Sequence, residues 1–168
     1  MKITRIQAVP LSFRVPEGQN VTLGIGRAVK RDAVLVRVET DEGIVGWGEA
    51  HHGRAPGAVA RLIDSTIAEL ATGMDALDTV GVGQKIYRMQ LASHGMGYGA
   101  VMALSGLDMA LWDIRGKALN MPLYRLLGGG PRAAKAYAGG ISLGYQDPSA
   151  LAEEAQSYVD EGYRAVKL

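Results

Sequence analysis

Residues 102–130, MALSGLDMALWDIRGKALNMPLYRLLGGG, constrain this chain more than any other stretch. Leu104, Leu107, Leu111, Ile114 and Ala118 recur three and four residues apart, the spacing that lines one face of an α-helix. Asn120 and Pro122 then stop the helix, a short apolar turn comes next, and Gly128, Gly129 and Gly130 end it. The stretch therefore predicts a long amphipathic helix with a defined end, around which the rest must pack.

The residues before it alternate between strand and loop patterns. Lys2 to Phe13 reads as a strand with Ile3, Ile6, Val9, Leu11 and Phe13 as its apolar positions. Pro10 has no N–H for a ladder, so this strand is expected to lie at a sheet edge or to break there. Arg14 to Arg31 is loop-like, with Pro16, Gly18, Asn20, Gly24 and Gly26. Ala33 to Glu39 alternates and is valine-rich, Thr40-Asp41-Glu42-Gly43 supplies a tight turn, and Ile44 to Ala50 returns, which together predict a β-hairpin. His51 to Gly57 is a second loop. Beyond it, Val59, Leu62, Ile63, Ile67 and Leu70 mark an amphipathic helix, and further helices are expected from Val80 to Leu91 and from Gly99 to Leu119. Strands succeeded by helices make an α+β pattern.

The character changes after Gly130. Ala134 to Ile141 is strand-like, and Asp147-Pro148 is a helix N-cap with proline at the first helical position. Leu151, Ala155, Tyr158 and Val159 form a helix stripe, Gly162 stops it, and Arg164 to Leu168 is again a strand. Strand, crossover helix and strand make a βαβ unit with parallel strands, which leaves two open edges and an uncovered apolar face.

Composition narrows the function classes. With 168 residues and 48% hydrophobic content the chain can bury a core. A net charge of +1, from 18 basic and 17 acidic residues, leaves no footprint for nucleic acid or an anionic membrane. There is no cysteine, hence no disulfide framework or thiolate metal site. No signal-peptide core and no membrane-length apolar run is evident, and a cytoplasmic location is expected.

Few residues look chemical. Lys167 sits near the C-terminal end of the second parallel strand, where α/β sheets place their active sites, although a lone lysine there is as readily a surface residue closing a strand. The loop HHGRAPG offers His51, His52 and Arg54 as donors, against the plainer reading of an exposed polar loop. Adjacent histidines without a third ligand make a poor zinc site. His94, in SHGMGYG, is a weaker candidate for the same pocket, with a helix-entry role as its bland alternative. Asp108 and Asp113 are separated by about 140° around a helix and do not converge on a metal. Asp113 and Lys117 instead form an i,i+4 pair, whereas Asp108 and Glu49 are expected to be structural acids, Asp108 with a buried partner. Gly24-Ile25-Gly26 and the glycines of 95–99 do not have the order of a dinucleotide fingerprint, and Met89, Met96, Met102 and Met109 read as core or interface filler.

The hairpin with GWGEA, the helix ALSGLDMALWDIRGKAL, the adjoining LYRLLGG and the opening βαβ together resemble the mandelate racemase/muconate lactonizing family of the enolase superfamily. The resemblance implies an N-terminal capping domain over residues 1–130, a three-stranded antiparallel meander and then a helical bundle. Residues 131–168 would be the first βαβ of a TIM-type (β/α)7β barrel. It implies proton abstraction next to a carboxylate, with the enediolate held on Mg2+. Lys167 matches the first half of the family's Lys-x-Lys or Lys-x-Arg strand end and would help neutralise the substrate carboxylate. The loops 15–31 and 51–57 would fold over the barrel mouth, with His51, His52, Arg54 and His94 available to the substrate. The Mg2+ ligands would lie beyond Leu168, so no metal ligand is assigned here, and the chain alone would be inactive: a full barrel takes ~250 residues. The substrate would be a small carboxylate, an acid sugar or an α-substituted acid, with the polar HHGR loop favouring a hydroxylated one. The reaction would be racemisation or epimerisation, cycloisomerisation or dehydration, in a homo-oligomer when full length. The rival reading is a non-catalytic binding or assembly module that keeps the capping fold.

Overall fold

The computed structural model describes residues 1–24, 26–139 and 145–167, and the side chains of Leu91 and Ala92 also fall outside the description. Ile25, the last residues of the strand expected at 134–141, and Leu168 thus lie outside the described residues. The chain divides into two compact units, one of Met1–Ser12 with Asp32–Gly130, the other of Phe13–Arg31 with Pro131–Leu168.

In the first unit a three-stranded sheet carries β1 (Ile3–Arg14), β4 (Lys30–Thr40) and β5 (Val45–Ala50) in the order β1-β4-β5. Both β1 and β5 are edges, as Pro10 predicts for β1. β4 and β5 are antiparallel, with Arg37 opposite Trp47 and Leu35 opposite Glu49. The period-2 pattern of β4 sends Val34, Val36 and Val38 inward to full burial. The hairpin turns on Gly43 at φ 80°, a left-handed conformation that costs glycine nothing, while the Thr40 hydroxyl bonds Ile44.

Helices cover the buried face of the sheet. α1 (Pro56–Leu62), a π-helical segment (Ile63–Ile67) and α2 (Ala68–Ala71) run on without a break. The Ala68 N–H reaches back to the Ile63 carbonyl, the wider turn that leaves both Ile63 and Ile67 fully buried. α3 (Thr79–Ser93) is capped by Asp78, whose carboxylate accepts the Gly81 N–H at 2.9 Å. α4 (Tyr98–Ala118) is the long helix, and Ala103, Leu107, Ala110, Leu111 and Ile114 form its buried face. It ends in a Schellman motif: Met121 N–H bonds the Gly116 carbonyl at 2.9 Å, Asn120 N–H bonds that of Lys117 at 3.1 Å, and Asn120 adopts φ 46°. A short helix α5 (Leu123–Leu126) occupies the apolar turn expected after it.

α4 lies against β5 at glycine distance. A Cβ on Gly48 would stand 2.8 Å from the Ala110 nitrogen, and one on Gly106 would stand 2.7 Å from Val36 Cγ2 and 2.8 Å from Ala50 Cβ. A Cβ on Gly46 would run into the Ala110 carbonyl and the Ile114 side chain. Side chains close the sheet edges as well. Asp64, on the π-helical segment, accepts the Ala8 N–H of β1 at 2.7 Å. Asp113 accepts the Trp47 N–H of β5 at 2.8 Å, and Lys117 Nζ donates to the Val45 carbonyl at 2.8 Å.

In the second unit, residues expected to form one loop contain a small antiparallel ribbon, β2 (Val21–Leu23) with β3 (Gly26–Ala28). Backbone pairing, such as Val15 N–H to the Val29 carbonyl at 3.0 Å, overrides the glycine and proline content that suggested irregular chain. β6 (Ala138–Gly139) and β7 (Val166–Lys167) pair in parallel, and between them lies α6 (Pro148–Asp160). Asp147 caps α6 by accepting the Ser149 N–H, and Gly162, at φ 98°, closes it in a second Schellman motif through the Gly162 and Tyr163 N–H groups. No residue of α6 is fully buried; Leu151, Ala155 and Tyr158 of its apolar stripe are half-buried, and Val159 is exposed.

Among the described residues no helix is long and apolar enough to cross a membrane.

Candidate functional site

The loop that leaves β5 has a defined build. His51 accepts the Gly53 N–H through Nδ1 at 3.0 Å, and His52 accepts the Arg54 N–H through Nδ1 at 3.0 Å. Gly53 and Arg54 are both left-handed, at φ 56° and 61°, so the chain makes two successive tight turns. The Ala55 N–H then bonds the His52 carbonyl at 2.9 Å, and Pro56 opens α1 at a position where its missing N–H costs nothing. The imidazoles stack with centroids 4.6 Å apart and planes 18° from parallel.

Gly53 seats this turn on α4. A Cβ there would stand 3.1 Å from Tyr98 Cε1 and 3.4 Å from Met102 Sδ. The sequence pattern singled out the histidines and Arg54 but not Gly53 or Tyr98. The only signal was a glycine directly after two polar residues, and what it contacts lies more than forty positions away.

His94 lies at the end of α3. It closes α3 as its C-cap, with its N–H bonded to the Gln90 carbonyl at 2.9 Å, rather than opening α4. Gly95 comes next at φ 77° and ends the helix before His94 can enter another. With Leu62, Thr66, Leu70, Met89, Gln90 and Ser93 it lines a pocket of about 460 Å³.

Lys167 belongs to the second unit, on β7, where it is exposed and pairs with Gly139 across the parallel ladder. The space beside Gly139 is taken by the Tyr137 ring, which a Cβ there would meet at 2.8 Å or less, and Lys167 Cβ stands 3.4 Å away.

The acids behave differently from the sequence expectation. Asp113 and Lys117 do form their i,i+4 pair, at 2.6 Å, but the pair is also the clamp on β5. Asp108 is half-buried and among the described residues has no hydrogen bond or ion pair, so the expected buried partner is missing. Burial pushes its carboxyl above the usual range, because nothing compensates the lost hydration. Glu49 is exposed on the outer face of the sheet and likewise shows no bonded partner among the described residues. Met102 packs against the core, as expected of filler, whereas Met89 and Met109 are exposed.

Among the described residues no three His, Asp or Glu side chains converge, so these residues do not fit a Mg2+ site.

A small antiparallel sheet with helices on one face and a tight polar loop leaving its edge strand is the architecture of the enolase-superfamily capping domain, and in this chain a parallel βαβ comes after it. Residues 8–128 match the model of the mandelate racemase / muconate lactonizing enzyme N-terminal domain, and the chain belongs to that family. It is 36% identical over 137 residues to a D-galactonate dehydratase family member of Paenibacillus sp., covering 80% of this chain and 32% of that protein. It is 31% identical over 173 residues to an N-succinyl-L-Arg/Lys racemase of Bacillus cereus, covering 100% of this chain and 44% of that one. A crystal structure of an enolase-superfamily member from Polaromonas sp. JS666 superimposes with a TM-score of 0.94 at 62% identity, over 100% of this chain and 44% of that chain. The chain thus spans between about a third and under a half of the length of these relatives.

Proposed function

We propose that this chain is the capping domain, residues 1–130, and the first βαβ, residues 131–168, of an enzyme that abstracts the proton α to a carboxylate and passes through an enediolate. The family match over residues 8–128 carries the reading, and relatives named as dehydratase and racemase support its chemistry. The substrate is a small carboxylate, an acid sugar or α-substituted acid, and the product arises by racemisation or epimerisation, cycloisomerisation or dehydration. The assembled enzyme is a cytoplasmic homo-oligomer.

Lys167 supplies positive charge to the substrate carboxylate. A carbon acid beside a carboxylate is very weak, and a fixed cation lowers the barrier by stabilising the charge that builds as the proton leaves. Its place on a parallel strand, where the side chain is exposed, supports this role. His51, His52 and Arg54 bind the remainder of the substrate, and His94 adds a donor from the α3–α4 connection. A Mg2+ ion would supply further positive charge to the developing anion, and none of the residues described here is assigned to hold it.

The test begins with the gene: Lys or Arg directly after Leu168, and further βα repeats beyond it, is the expected continuation. The full gene product is then given Mg2+ and a panel of acid sugars and α-substituted acids, and deuterium uptake at the α-carbon is monitored in D2O. Lys167→Ala should cut kcat about 10²-fold or more with the protein still folded. A full product that exchanges no α-proton on any member of the panel sinks the enzyme reading. Measurable exchange by residues 1–168 alone sinks the assignment of the missing machinery to later residues.

A further inference from the structure

One face of the parallel ladder brings Tyr137 and Gly139 beside Lys167. Gly139 is the ladder partner of Lys167 and Ala138 that of Val166, a register held by the Ala138 N–H on the Ala165 carbonyl at 2.9 Å. Partners across a ladder share a face, and neighbours along a strand alternate. Tyr137, just before β6, therefore stands with Gly139 and Lys167 on one side, while Ala138 and Val166 take the other. The Ala138 side is the packed one, since Ala138 is 6% exposed and Tyr137 57%. The ring of Tyr137 leans forward over Gly139. A Cβ on Gly139 would collide with Cε2 and Cδ2 of that ring, the latter at 2.8 Å, and would stand 3.4 Å from Lys167 Cβ. The ring and the root of the lysine side chain thus flank the same spot. Gly139 is not left-handed, so glycine is required there by the space the ring takes and not by backbone freedom.

We propose that Tyr137 is a positioning residue for Lys167: its ring, seated over Gly139, is the apolar wall along which the lysine stem lies, and it turns the ammonium toward the carboxyl end of the ladder. That the ammonium meets a carboxylate there rests on the function proposed above; the wall does not. A lysine carries a flexible four-carbon stem, and among the described residues no hydrogen bond or ion pair holds Lys167, so packing selects its rotamer. An apolar surface takes up such a stem while the charged head stays in water. The ring rises from the amino-terminal side of Gly139 and closes that direction to the stem, which leaves the carboxyl end open. Ring carbons make the contact at Gly139, so the wall does not depend on the tyrosine hydroxyl.

Side-chain spectra of the chain labelled with 13C at its lysines test the wall. The Lys167 β and γ protons, assigned by their loss in Lys167→Arg, should be moved upfield by the ring current, and three-bond couplings should report a single χ1 rotamer. Tyr137→Ala should abolish the shift and average the rotamers, while Tyr137→Phe should keep both. Kinetics of the full gene product test the positioning. Tyr137→Ala and Gly139→Ala should each lower kcat/KM about 10-fold, and Tyr137→Phe should recover most of that loss. Tyr137→Ala/Lys167→Ala should be no slower than Lys167→Ala, because the ring acts only through the lysine. Unshifted Lys167 protons in the unmutated chain overturn the proposal, and that spectrum needs no variant to fold. Additive losses in the double variant overturn it too, as does a Tyr137→Ala enzyme at full speed or a Tyr137→Phe enzyme as slow as Tyr137→Ala. A full product that exchanges no α-proton, beside intact ring-current shifts, would remove the enzyme reading and leave the wall standing.

Discussion

Asp113 accepts the backbone N–H of Trp47 through Oδ2 at 2.8 Å, across 66 positions of sequence, and so ties the long helix to the outer edge of the sheet. Lys117 completes the clamp from the next turn by holding both Asp113 and the Val45 carbonyl. On the opposite edge Asp64 does the same for Ala8, and Pro10 has no N–H to offer. Both edges of a three-stranded sheet are thus closed by helix side chains, which blocks pairing with a further strand.

Asp113→Ala should remove about 2 kcal/mol of stability, since it deletes a charged acceptor from a backbone donor and unpairs Lys117. Urea titration gives the stability, and hydrogen exchange reads the Trp47 amide. Unchanged protection of that amide would mean that the clamp does not hold the edge in solution.

Gly48→Ala should cost about 3 kcal/mol or prevent folding, because its Cβ meets the α4 backbone, which cannot move aside as a flexible side chain could. Gly83→Ala, inside α3 where a Cβ meets nothing within 4 Å, should instead stabilise by about 0.5–1 kcal/mol. Thermal melts of the two variants side by side decide the matter, and equal effects would contradict the close approach of α4 to β5.

Asp108→Asn should raise the melting temperature at neutral pH. The folded carboxyl titrates above its unfolded value, so the native state holds the proton longer and ionisation destabilises it as pH rises through the interval between the two. The advantage of asparagine should therefore vanish in acid, below the usual carboxylate range, where both states are protonated. Melts of both proteins from acid to neutral pH test the sign; an advantage that grows toward acid contradicts it.

Gly53→Ala should destabilise by about 1–2 kcal/mol, the cost of a left-handed residue with a side chain, and should loosen the His51–Arg54 turn. Histidine spectra would show the two rings losing their distinct environment. A variant with native rings would mean that Tyr98 yields to the added methyl group.

What could be read from the chain alone was local. Valine alternation from 34 to 38 and the three-four spacing of Leu104, Leu107 and Leu111 describe interactions between near neighbours, and they placed β4 and α4. The caps were also legible, because Asp147 and Gly162 act within four residues of themselves. The GWGEA hairpin and the long helix together pointed to the family before any contact was known. Tertiary structure decided what depends on residues far apart in sequence. It turned an i,i+4 ion pair into an edge clamp, left Asp108 without a partner among the described residues and made Gly46, Gly48 and Gly106 a packing surface. It also placed His94 at the end of α3 and turned Nδ1 of His51 and His52 onto the backbone of their own loop. Periodicity reports which way a residue faces, whereas what it meets there is set by chain that returns from forty or more positions away.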